Sequence, residues 1–158
     1  MGDLHPATKH KGGQLMKVNM KVVDPKYTPE YATEGAAGMD LKARLEEPIT
    51  LLPRQRMLIP TGVFLELPIG YEAQIRARSG LASKHGITLV SGIGTIDSDY
   101  RGELHVPLIN QSEHAMKIKD GDRIAQMVVT EYTHITPNIV HELSETTRGS
   151  GGFGHTGV

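Results

Sequence analysis

The feature that most limits what this chain can form is its punctuation. Glycine and proline, 18 and 9 of them, fill 27 of 158 positions, about 17% against a usual level near 12%. Between them lie short apolar or alternating runs at residues 17–23, 39–43, 57–65, 72–78, 87–90, 103–109 and 124–132, with the length and rhythm of strands. Ala73, Ile75 and Ala77 alternate with Glu72, Gln74, Arg76 and Arg78, and Leu104, Val106 and Leu108 repeat the pattern. Each such run has one face to bury. Turns are signalled at Asp24-Pro25, Pro60-Thr61-Gly62, Pro68-Ile69-Gly70 and Asp120-Gly121-Asp122, and only residues 79–84 look locally helical, limited by Gly80 and Gly86. No regularly spaced amphipathic segments of crossover length occur, which argues against βαβ winding. One all-β domain, a sandwich or closed barrel, is the expected architecture.

Charge and composition narrow the function classes. Seventeen basic and eighteen acidic residues leave a net charge of -1, so no global field draws the chain to nucleic acid or to an anionic membrane. With no cysteine, disulfides and thiolate-based metal sites are excluded, and a reducing compartment is compatible. No run approaches the length of a membrane span, and residues 1–15 lack the apolar stretch of a signal peptide. They read as a polar extension, disordered or foreign to the natural chain, with Met16 opening the folded unit. No Trp and two Phe leave a core of Ile, Val, Leu and Met, and a monomer of modest stability.

Several places could carry chemistry. Arg78-Ser79-Gly80 stands where a strand runs into a short helical turn; fork, hydroxyl and free N–H groups would cradle a phosphate, or Arg78 is a surface residue beside an N-cap serine. Asp97 and Asp99, in the connection from Gly94 to Glu103, would offer a carboxylate to act as a base or orient a metal beside Tyr100, or belong to an ordinary hairpin turn. Asp40 opens a strand after a run of small residues. Gln126 interrupts an apolar run, sharing a face with Ile124 and Val128 either at the edge of a cleft or toward open solvent, and needs a partner if buried. The eight histidines are too scattered for a zinc cage, and neither a P-loop nor a G-x-S-x-G elbow is present. Five of the ten residues 148–157 are glycine, yet the stretch carries Arg148 and Phe153. Such a segment cannot recover its ordering entropy alone.

Taken in order, Ala37-Gly38-Met39-Asp40-Leu41, Arg78-Ser79-Gly80-Leu81-Ala82, Gly94 to Glu103, Gly121 to Gln126 and Arg148 to Gly157 closely resemble the five motifs of the homotrimeric dUTP pyrophosphatase (dUTPase) family. The resemblance spans residues 16–158. It implies a distorted jelly-roll β-sandwich or barrel over residues 16–147, assembled as a homotrimer with active sites shared between subunits, and a flexible glycine-rich C-terminal arm at 148–158 acting as a lid. It also implies hydrolysis of dUTP to dUMP and pyrophosphate, which keeps uracil out of DNA and supplies dUMP for dTMP synthesis. Asp97 resembles the carboxylate that activates water for in-line attack on the α-phosphorus, and Gln126 the amide that holds that water. Asp40 resembles the acid that meets Mg2+ through water while the triphosphate supplies direct ligands. Arg78, Ser79 and Gly80 would hold phosphates, and Tyr100 would pack under the deoxyribose. Backbone groups of a hairpin comprising Ser91, Gly94, Thr95 and Ile96 would read uracil. His105 is a further candidate near sugar or phosphates, while Arg148, Phe153 and Gly154 would close over the nucleotide.

Two departures from the family pattern stand out. Ser91 replaces a frequent Asn, so that a water or the backbone must complete recognition. Ala77 replaces a frequent Pro before Arg78, with some loss of preorganisation. The competing readings are a dCTP deaminase of the same superfamily, possibly bifunctional, and a non-catalytic trimeric nucleotide-binding protein. The expected setting is cytoplasmic, with no nucleic-acid or membrane partner.

Overall fold

The computed structural model describes residues 16–152. Along the chain run β1 (Asn19–Val22), a 3-10 turn (Pro25–Tyr27), β2 (Glu30–Tyr31), β3 (Met39–Lys42), β4 (Ile49–Leu51), β5 (Arg56–Pro60) and β6 (Val63–Glu66). These are followed by β7 (Tyr71–Arg76), α1 (Ser79–His85), β8 (Ile87–Leu89), β9 (Ile93–Ile96), β10 (His105–Asn110), β11 (Met116–Ile118) and β12 (Arg123–Glu131). The largest sheet has the order β2-β3-β12-β7-β9; β5-β10-β8, β1-β6 and β11-β4 form the others. Every pairing is antiparallel, and most neighbours are distant in sequence, as expected for the jelly roll.

Alternation works as the sequence implies. Ala73 and Ile75 of β7, and Val106 and Leu108 of β10, point into a core shared with Leu41, Leu51, Ile59, Val63, Ile87, Leu104, Ile118 and Met127. Among the described residues the core cluster contains no aromatic side chain: Tyr27 is buried outside it and Phe64 is only half-buried. Asn110 is fully buried, and its amide is satisfied by donation to the carbonyls of Leu51 and His114 at 2.9 and 2.7 Å, and by acceptance from the Ser112 N–H and hydroxyl. No buried desolvation cost is left open there.

Three expectations need correction. Residues 57–65 are not one strand: Gly62, at a φ of 72°, turns the chain so that β5 and β6 enter different sheets. A bulge in β12 between Arg123 and Ala125 buries both Ile124 and Ala125, so Ile124 does not share the face of Gln126 and Val128 in simple alternation. Finally, β8 and β9 do not pair as a hairpin. β8 joins β10 while β9 joins β7, and residues 90–92 carry the chain from one sheet to the other. The short strands β2, β4, β9 and β11 were not expected, since two to four residues hold too little pattern to recognise.

Asp120 fastens the N-terminal segment to this body. It accepts from Lys26 Nζ at 2.8 Å, the Tyr27 hydroxyl at 2.6 Å and the Leu45 N–H at 3.0 Å. Those donors, Lys26 first, pull its carboxyl from 3.8 down to about 2. A depressed carboxyl stabilises the fold above its unfolded value and loses that contribution as pH falls through its folded value. Urea unfolding should therefore show Asp120→Asn less stable than the parent at pH 7, with the difference closing between about pH 4 and 2; a gap constant over that window would contradict this role.

Candidate active site

Asp40, Gln126 and Arg76 form one row across three strands, Gln126 being registered against Asp40 on β3 and against Arg76 on β7. Two residues beyond Arg76 the extended backbone brings Arg78 to the same end of the sheet. Its Nε lies 2.9 Å from one Asp40 oxygen, Arg123 Nη1 lies 3.2 Å from the other, and Arg78 Nη1 donates to the Arg123 carbonyl at 3.1 Å. The Asp40 side chain is only 14% exposed. One carboxylate between two guanidinium groups leaves a local positive charge, and each fork retains donors that the carboxylate does not use. The cluster can thus take phosphate oxygens.

Gln126 donates to the Ala77 carbonyl at 3.0 Å. Its place depends on Gly38, where a Cβ would stand 3.3 Å from Gln126 Cβ and still closer to its amide oxygen. Ser79 and Gly80 open α1, but the N-cap position belongs to Arg78, without a side-chain cap. The reading of Ser79 as N-cap is therefore set aside, and the first helical N–H groups are uncapped by any side chain. Beside the cluster lies a cavity of about 270 Å³, with Leu81, Ile87, Met116 and Ile118 in its wall together with Arg78 and Arg123.

A second group of expected residues gathers elsewhere. β9 lies along β7 with Ile93 opposite Arg76 and Ile96 opposite Ala73; Gly94 faces Ile75 closely enough that a Cβ would sit 3.3 Å from Ile75 Cβ. Asp97 follows, exposed, its carbonyl accepting the Tyr100 N–H at 3.2 Å. The Tyr100 hydroxyl donates to the Glu103 carbonyl at 3.0 Å, and His105 Nδ1 meets the same oxygen at 3.0 Å. Ser91 is exposed and engaged through its carbonyl with the Ile93 N–H, while Thr95 is exposed on β9.

The two groups do not meet within one chain. Ile96 is registered against Ala73, five residues before Arg78, and Asp97 follows it away from the cluster, a separation on the order of 16 Å or more at roughly 3.3 Å per residue. Arg148 joins neither group and donates to the Gly151 carbonyl at 2.9 Å. Phe153 and Gly154, like residues 1–15, lie outside the described residues. Arg123 was overlooked in the sequence, although it stands in the motif from Gly121 to Gln126, three positions before the glutamine. Among the described residues no three His, Cys, Asp or Glu side chains converge as a metal cage. Both Asp40 oxygens already face guanidinium groups, so this donor set suits a hydrated cation rather than one stripped of water.

The dUTPase family model matches residues 24–157. Curated relatives named deoxyuridine 5'-triphosphate nucleotidohydrolase include one from Finegoldia magna, 55% identical over 82% of this chain and 90% of its own length. Another, from Treponema denticola, is 54% identical over 90% of this chain and 99% of its own. Among solved structures, the Staphylococcus bacteriophage 80alpha dUTPase with dUpNHpp superposes with a TM-score of 0.76 at 26% identity, covering 90% of this chain and 99% of that one. Fold, cluster and relatives together define a jelly-roll nucleotide phosphohydrolase. More narrowly, the chain belongs to the dUTPase family, the dUTP diphosphatases.

The contact between Gly38 and Gln126 can be tested directly. Gly38→Ala should push the amide off the Ala77 carbonyl and lower turnover at least about tenfold, the scale of a displaced positioning group, with little change in the melting temperature. Undiminished turnover in the folded variant would remove Gln126 from the reacting region.

Proposed function

We propose that the protein hydrolyses dUTP to dUMP and pyrophosphate, and that its active sites are built between the subunits of a homotrimer. The observation that carries the second part is the separation of the Asp40–Arg78–Gln126 cluster from Asp97, which follows the Ile96–Ala73 pair five residues from Arg78, on the order of 16 Å or more and too far for both to act on one phosphate from one chain. A second feature agrees with it. In the segment 133–144, which belongs to no strand, Ile135, Ile139 and Leu143 are 80, 89 and 87% exposed. Apolar side chains laid out in this way call for cover by another chain.

In this reading Arg78, Ser79 and Gly80 hold the phosphates. Asp97 takes a proton from the attacking water as its oxygen bonds to the α-phosphorus; the bond from that phosphorus to the bridging oxygen breaks, and pyrophosphate leaves. Gln126 helps hold the water. Asp40 would hold a magnesium ion through its water shell, and that ion would supply charge neutralisation on the phosphates when bound. Because β9 ends its sheet, one edge of its backbone is open, and Ser91, Gly94, Thr95 and Ile96 offer peptide donors and acceptors to the uracil edge. Tyr100 lies under the deoxyribose and leaves no space for a 2'-hydroxyl, with His105 nearby. The arm 148–158 closes as a lid, Phe153 stacking on the base and Arg148 reaching the phosphates. Such an enzyme keeps uracil out of DNA and supplies dUMP for dTMP synthesis, and we place it in the cytoplasm. No helix among the described residues is long and apolar enough to cross a membrane.

Pyrophosphate release from dUTP tests the activity, and ammonia release from dCTP would instead point to a deaminase. Asp97→Asn should bind nucleotide and assemble normally while turning over about 10²-fold more slowly; a rate within about threefold of the parent would remove Asp97 from this role.

Subunit sharing has its own test. Light scattering should return about three times 17.2 kDa. Mixing Asp97→Asn chains with Arg78→Ala chains should restore part of the activity, because some interfaces then join an intact Asp97 to an intact Arg78. Mixed trimers, confirmed by mass, that stay inactive would place both groups of one site on a single chain.

A further inference from the structure

Tyr100 is 43% exposed, so little packing fixes the direction of its ring. What holds it is the loop itself. The ring folds back over Gly102, where a Cβ would stand 2.5 Å from Tyr100 Cζ, and the hydroxyl donates to the Glu103 carbonyl at 3.0 Å. Arg101 closes the loop from the other side, donating to the carbonyls of Ser98 and Tyr100 at 2.7 and 3.2 Å. The aim of the ring therefore depends on where the Glu103 peptide is held.

Glu103 is held unusually well for a loop residue. One carboxylate oxygen accepts from Arg44 Nε at 3.1 Å and from the Gly62 N–H at 2.7 Å; the other accepts from Arg44 Nη2 at 3.1 Å. Burial pushes its carboxyl up, but the Arg44 fork, the Gly62 N–H and the Arg44 charge outweigh that and hold it below the ordinary range. The next residue is also fixed: Leu104 donates to the Val63 carbonyl at 2.8 Å and accepts from the Thr61 hydroxyl at 2.7 Å. Gly62 is what allows this approach. A Cβ there would stand 2.7 Å from Val23 Cγ2 and 3.1 Å from Arg44 Cδ, at a φ of 72° that disfavours other residues.

We infer that Arg44 and Glu103, seated on the Gly62 turn, are positioning residues that aim Tyr100 and thereby set discrimination between deoxyribose and ribose. The inference rests on the reading of Tyr100 as the floor of the sugar site. A wall rejects one added hydroxyl only as far as it cannot retreat, since a yielding pocket discriminates weakly against such an addition. The bidentate pair denies that retreat: its guanidinium is planar and its geometry rigid.

The test compares kcat/KM for dUTP and UTP in the full-length protein. Glu103→Gln should lower the dUTP-to-UTP ratio about tenfold, chiefly by improving use of UTP, while kcat for dUTP changes less. Arg44→Lys, which keeps the charge and loses the fork, should lower the ratio about threefold, and it serves if Glu103→Gln fails to fold. A core variant away from both groups, Leu51→Val, should keep the parent ratio, which separates aim from general destabilisation. In a Tyr100→Ala background, Glu103→Gln should have no further effect on the ratio. Folded Glu103→Gln and Arg44→Lys proteins with ratios within twofold of the parent, when Tyr100→Ala alone collapses it, would overturn the positioning role. A ratio unmoved by Tyr100→Ala would show instead that the premise about the sugar floor is wrong, and the inference would fall with it.

Discussion

An extended strand cannot shorten, and β7 sets the spacing of everything placed along it. Its hydrogen bonds to β12 on one side and β9 on the other fix Arg76 against Gln126 and Ile93. Asp40 is then carried to the same end by the pairing of β3 with β12. Asp97, reached by running along β9 in the opposite direction, follows the pair of Ile96 with Ala73, five residues from Arg78. The core face of β7, with Ala73 and Ile75 fully packed, forbids a slip of register, since one residue of slip would turn these side chains out to solvent. Core packing and the separation of the two groups are thus one constraint.

Much of this was legible beforehand, for definite reasons. The inward faces of β7 and β10 could be read because their apolar residues alternate strictly. The helical turn after Arg78 could be bounded because Gly86, with a φ of 66°, ends it. Asp40, Arg78 and Gln126 were each marked, yet nothing in their spacing of 38 and 48 residues said that they meet; only the pairing of distant strands brings them together. Arg123 escaped notice because a charged residue in a turn motif looks like solvated surface until the carboxylate it faces is known. The division of β8 and β9 between two sheets was likewise hidden, as a tight turn between apolar residues reads as a hairpin whichever partners its strands choose.

Glycines at three places do work that side-chain chemistry alone would not disclose. Gly38 admits the Gln126 amide, Gly62 admits Arg44, and Gly102 admits the Tyr100 ring. In each case the missing Cβ lets a functional or supporting side chain lie against backbone, so a substitution would move the neighbour even where the glycine itself touches no ligand.

The open edge of β9 has a further consequence, for solubility. An unpaired strand edge is a template for any other chain in extended form, and proteins commonly blunt such edges with proline, lysine or a covering loop. In the proposed reading β9 could not accept those remedies and still present its peptide groups to a base. It carries instead a length of only four residues, a glycine at its second position and the acidic pair Asp97 and Asp99 just beyond its end. Shortness and terminal charge limit the self-association that an open strand edge would otherwise invite.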